Sequence, residues 1–227
     1  MRKIVLIIGI SFLTAIGSLN AQSVGFSYFF PKHGYFSNPI APINISLPVK
    51  VGNYFQVSPG IGMYNIGAMS MTGFADEFNS ERPLVGPFQS LELTIIPAIV
   101  LPFKTFKIDF NGGAFGFFAF NQKLIKSEFD QMICEVYDYS AIGSNISMDK
   151  SGFGWGFIYG VKLSFKVAKN AWGYIGANYY NGAQIGDISG TYKALDSGNN
   201  IINGTFDITN KKILYHGLQL SVGAILK

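Results

Sequence analysis

From Gly152 to Val167 the chain reads GFGWGFIYGVKLSFKV, and every odd-numbered residue from Phe153 to Val167 is aromatic or aliphatic. Half of the even-numbered residues are glycine, and the others are Ile158, Lys162, Ser164 and Lys166. Successive side chains of a strand point to opposite faces, so a period of two marks an extended segment with two different surroundings. The pattern is not local. It returns at 23–30, 43–51, 54–64, 90–102, 107–120, 172–180 and 213–226, which makes eight segments along the chain.

The connections between them sort into two kinds that alternate. Gly52-Asn53, Phe103–Phe106 and Ala168–Ala171 are tight, with Gly-Asn and Lys-Asn turn chemistry. Residues 31–41, 65–87, 121–151 and 181–212 are long. Even-numbered antiparallel strands joined in this way place all short turns, and both ends of the strand array, at one end.

The chain opens with Arg2 and Lys3, an apolar core from Ile4 to Ile16, and small or polar residues up to Ala21. This is the pattern of a secretory signal for the Sec pathway, so residues 1–21 are expected to be removed and 22–227 to form one domain. No cysteine stands at the new N-terminus, which excludes a lipid-anchored one. Without Arg2 and Lys3 the formal charge falls from +4 to +2, too balanced for a nucleic-acid partner. The longest other apolar run, LTIIPAIVLPF, is short and broken by Pro97 and Pro102, so no second membrane helix is expected. A single cysteine, Cys134, cannot form an internal disulfide and reads as a partly shielded free thiol.

Eight alternating strands with short and long connections in turn resemble the small eight-stranded outer-membrane barrels of the OmpA/OmpX kind, and the NAQS junction is similar to those of Bacteroidota outer-membrane proteins. The resemblance implies an all-β, antiparallel up-and-down transmembrane β-barrel with a porin-like wall, short periplasmic turns and long extracellular loops. It also implies outer-membrane lipids and lipopolysaccharide as surroundings, and the barrel-assembly machinery as a partner during insertion. That machinery recognises a last strand of alternating apolar residues closing on an aromatic. Here the alternation is present, but the chain ends Leu226-Lys227.

On this reading Phe153, Trp155, Phe157, Tyr159, Val161, Leu163 and Phe165 face lipid, and the intervening glycines face a lumen narrow enough to need them. Lys162 and Lys166 point inward near the periplasmic end. Asp109 and Asn111 sit at matching depth on the preceding strand, and Glu92 lies on the polar face of the fourth. An unpaired lumen charge is costly, so Asp109 is expected to pair with Lys162 or Lys166.

Pro48, Pro59 and Pro97 fall inside strands, where proline cannot donate to the ladder, so bulges are expected there and at Gly112-Gly113. The seventh segment carries aromatic residues that leave its lipid face open: if Trp172, Tyr174 and Tyr180 face lipid, so does Asn178. Alternation in DISGTYKAL and NGTFDITNKK fits either a last hairpin extended beyond the bilayer or mobile loops.

Few side chains suggest chemistry. His216 on the lipid face would suit a lipid-modifying barrel if a serine followed two residues on; that position is Leu218, and an interfacial polar tip is the favoured reading. His33 reads as a loop residue. Glu128, Asp130, Glu135 and Asp138 match no calcium-loop spacing and read as a solvated loop, as do Asp76, Glu77 and Glu81. Asn145-Ile-Ser and Asn203-Gly-Thr are chance acceptor matches in a bacterial-looking export. No cofactor, metal or enzymatic activity is expected. The favoured role is a structural, adhesive or surface-interaction barrel with its lumen filled by side chains and an envelope or extracellular protein partner. The alternatives are a small channel or carrier for apolar ligands, and an outer-leaflet lipid-modifying enzyme.

Overall fold

A strand with apolar and polar faces buries neither alone; closing the sheet on itself removes the free edges and gives each face one environment. The computed structural model describes residues 22–35, 43–72 and 82–226. In it β1 (Gln22–Pro31), β2 (Ile43–Ser46), β3 (Val49–Lys50), β4 (Phe55–Ile66), β5 (Phe88–Pro102), β6 (Phe106–Phe120), β7 (Ala141–Ala168), β8 (Ala171–Leu195) and β9 (Ile201–Leu226) form one antiparallel sheet. β2 pairs with both β1 and β4, and β1 with β9, so the sheet closes. Since β2 and β3 are two halves of one strand parted at Leu47-Pro48, the wall is an eight-stranded up-and-down barrel. The expected signal at 1–21 lies outside the described residues, as do Asp76, Glu77 and Glu81.

The faces follow parity. Phe153, Trp155, Phe157, Tyr159, Val161, Leu163 and Phe165 all point outward and are exposed, Trp155 by 61%. On β8 the even residues point inward: Trp172, Tyr174, Asn178 and Tyr180 are buried in the lumen. Aromatic character alone left this strand's face open; the neighbouring glycines decide it. A Cβ at Gly25 would lie 2.1 Å from the Tyr174 hydroxyl, and one at Gly223 2.7 Å from its ring. Tyr174 therefore fills the space those glycines leave.

The expected bulges at Pro48, Pro59, Pro97 and Gly112-Gly113 are not formed, and the register is the same on both sides of each. Pro59 C=O accepts from Leu47 N–H at 2.9 Å, so its missing donor forgoes only the return bond to Leu47 C=O, at the break beside Pro48. The β5–β6 bridges lapse over Ile96-Pro97, opposite Gly112-Gly113, and resume in the same register. The register shifts lie elsewhere: between Lys150 and Gly154, where Gly152 has φ +72°, between Lys166 and Ala168 at the β7–β8 turn, and in β9 opposite Gly186–Ile188, where Asn210 N–H donates to Asp187 Oδ1 at 2.7 Å.

β7, β8 and β9 run to 28, 25 and 26 residues against 15 for β5 and β6, so three strands rise beyond the barrel at its loop end. The third long connection, read from sequence as a solvated loop, contains helix α1 (Lys126–Tyr137). Phe129, Met132 and Ile133 recur at helical spacing, are buried, and pack toward Ile142, Ile146, Met148 and Phe206. Asp138, at φ 55°, ends the helix, and its N–H donates to Cys134 O.

Candidate functional site

Two layers fill the bore. The upper is aromatic: the Tyr215 ring lies 4.7 Å from Phe117, 4.9 Å from Phe29, 5.3 Å from Phe115 and 5.8 Å from Tyr180, centroid to centroid. These rings come from β1, β6, β8 and β9, so they bridge the lumen. The glycine face of β7 makes room for them rather than for a passage. A Cβ at Gly154 would stand 2.2 Å from Phe117 Cζ, and one at Gly182 on β8 2.6 Å from Phe115 Cζ.

Glu92 sits beneath this layer, fully buried, with no ion-pair partner among the described residues. Tyr180 Oη donates to its Oε1 at 2.9 Å and Tyr215 Oη to its Oε2 at 3.4 Å. Gln219 Nε2 donates to Tyr180 Oη at 3.1 Å and also to Tyr64 Oη, while Asn178 Nδ2 donates to Gln219 Oε1 at 2.6 Å. Asn111 Nδ2 continues the chain to Asn178 Oδ1 at 2.7 Å. None of these tyrosine partners was legible in the sequence, because the contacts cross the lumen between distant strands.

The lower layer is polar. Asp109 and Lys162 are cross-strand partners in the β6–β7 ladder, and Lys162 Nζ lies 3.1 Å from Asp109 Oδ2. Gln56 Nε2 donates to the same oxygen at 3.1 Å. Lys166, also turned inward by parity, is exposed at the short-turn mouth and does not join the pair. A cavity of about 60 Å³ lies here, lined among others by Asp109, Asn111 and Lys162. Asp109 Oδ1 and Asn111 Oδ1 have no protein partner, and a space of this size suits a few water molecules rather than a solute.

The loop end is also covered. Ile66, Ala68, Met69, Leu84 and Val85 are buried, and the bridges Met69↔Val85, Val85↔Leu124 and Met71↔Ile213 carry short extended pieces around the rim. Arg82 ties this cover to α1: Nη1 donates to Glu128 Oε2 at 3.1 Å and to Gln131 Oε1 at 2.8 Å, and Nη2 bonds to Glu135. Tyr35 Oη donates to Glu128 Oε1 at 2.7 Å, and Ser144 to Asp130. Three of the acidic residues in this connection thus serve as internal acceptors. Burial, then Asp130 and Glu135, push the Cys134 thiol up. Because Arg82 and Glu135 are partly exposed, Arg82→Ala is expected to cost no more than about 1 kcal/mol, while amide exchange in α1 speeds up. Unchanged exchange would deny Arg82 its fastening role.

His216 and Leu218 both lie on the outward face, with Lys32 N–H donating to His216 O at 2.8 Å. His33 sits in a turn with φ 54°.

Among solved structures, the outer membrane protein OprG from Pseudomonas aeruginosa superimposes with a TM-score of 0.51 over 91% of this chain and 93% of its own, at 10% identity. The fold is that of a small outer-membrane β-barrel. A major outer membrane protein from Thermus thermophilus matches at a TM-score of 0.44, with 14% identity over 91% of this chain and 98% of its own. The attachment invasion locus protein Ail of Yersinia pestis matches at 0.37, with 12% identity over 91% and 95%. No family model matches the chain, and no curated protein sequence does.

Proposed function

We propose that the chain is an integral outer-membrane barrel, exported by the Sec pathway, whose bore is closed and whose loop end serves in contact with an external or envelope partner rather than in transport or catalysis. The aromatic layer around Tyr215 carries this reading. It fills the glycine-lined part of the lumen that would otherwise suggest a channel. An exposed outward belt of Phe153, Trp155, Phe157 and Tyr159 suits lipid, and a closed ring leaves no edge to it. Above the belt, α1 and three long strands make an ordered head, which suits recognition better than a solvated fringe would.

Planar-bilayer recording of the refolded protein tests this. A flat baseline is expected across the voltage range; steady, large conductance would remove the closed-bore reading.

A further inference from the structure

Above the barrel the described residues leave an open slot in the wall. Ile125 N–H donates to Leu84 O and Gly86 N–H to Lys123 O, both at 2.8 Å, so residues 123–125 form an extended piece paired on one side only. Backbone groups alternate in direction along an extended chain, which turns the N–H and C=O of Leu124 the other way, toward β7. The β6–β7 ladder ends at Phe118↔Phe153, so β7 beyond it has no β6 partner. Leu195 C=O points to β7, accepting from Ser140 N–H at 2.9 Å, and the odd residues of the two strands bond across that ladder. The backbone groups of Ser144, Ile146 and Met148 therefore face away from β8, into the slot.

Between Leu124 and this edge of β7 lies a cavity of about 320 Å³ lined by Leu124, Ser144, Ile146 and Met148, with Lys123 and Lys126 beside it. Both lysines are exposed and make no ion pair among the described residues. Among the described residues, a row of backbone donors and acceptors on β7 and those of Leu124 face one gap without a ladder partner, which matches an extended polypeptide, the ligand that carries the same alternation on both of its edges. We propose that this slot accepts an extended, acidic segment of a partner protein as an added strand. The inference rests on the surface-contact reading and names its partner class. Backbone pairing to β7 would hold the segment, apolar contacts with Leu124, Ile146 and Met148 would set its register, and the lysines would select carboxylates.

The probe is a fluorescein-labelled decapeptide of alternating valine and threonine carrying two glutamates, followed by anisotropy on protein folded in detergent micelles. Binding is expected, weakened about tenfold or more by Lys123→Glu with Lys126→Glu and by exchanging the peptide's glutamates for lysines. Ile146→Pro removes a slot-facing N–H and spares the β7–β8 ladder, so it should abolish binding while Ile146→Val preserves it. If the proline variant fails to fold, the Ile146 and Met148 amides of the unaltered protein should gain exchange protection when peptide is added. No binding, equal binding of the lysine peptide, full affinity in a folded Ile146→Pro variant, or unprotected amides would each overturn the proposal; dextran sulfate binding with those signs would point to a polyanion instead. Conductance through the bore would refute the closed-bore reading and leave this test untouched.

Discussion

Replacing Gly156 by leucine is expected to prevent the barrel from closing. A Cβ there would lie 2.3 Å from both Asn181 O and Gly182 Cα, which are backbone atoms of the paired strand. A flexible side chain could turn aside; a ladder strand cannot move without breaking its register, so the cost should exceed the roughly 1–3 kcal/mol of ordinary overpacking. Gly112→Leu is the control, since a Cβ there meets nothing within 4 Å and points outward. Folded barrels migrate as compact, heat-modifiable bands in gels. That band should vanish for Gly156→Leu and persist for Gly112→Leu. A Gly156→Leu protein with the unaltered band and urea midpoint would show that the strands do not approach this closely.

The same glycines explain what could be read from the sequence and what could not. On β7 one face was aromatic and the other glycine, so its orientation followed from alternation. On β8 both faces hold apolar residues, Trp172 and Tyr174 on one and Ile175 and Tyr179 on the other, and a period of two does not say which meets lipid. The answer lay on other strands, in the space that Gly25 and Gly223 leave for Tyr174. Helix α1 went unread for a different reason. Phe129, Met132, Ile133 and Val136 carry helical spacing, but they are few, and the acidic residues between them give the connection the look of a solvated loop. Bulges at the prolines were inferred from a shortage of donors. The chain meets that shortage by aiming the proline nitrogens at gaps in the ladder, which only the register reveals.

Lys162→Met is expected to destabilise the barrel by about 3–5 kcal/mol, because it leaves the Asp109 carboxylate without its counter-charge. Asp109 is only 3% exposed, and its Oδ1 already has no protein partner. Gln56 would remain as a donor to Oδ2, which places the loss toward the lower part of that range. The Asp109→Asn variant keeps the shape and strands an ammonium whose side chain is more exposed than the carboxylate's, so its cost should be smaller. Removing both charges together deletes the attraction and the two desolvation costs at once, and the double variant should then be well more stable than the sum of the singles implies. Urea unfolding of all four proteins in one lipid or detergent gives the cycle. A coupling of roughly 0.5–3 kcal/mol is expected. Strict additivity would mean that water in the neighbouring cavity screens the two groups, and that the polar layer is held by its amides and hydroxyls instead.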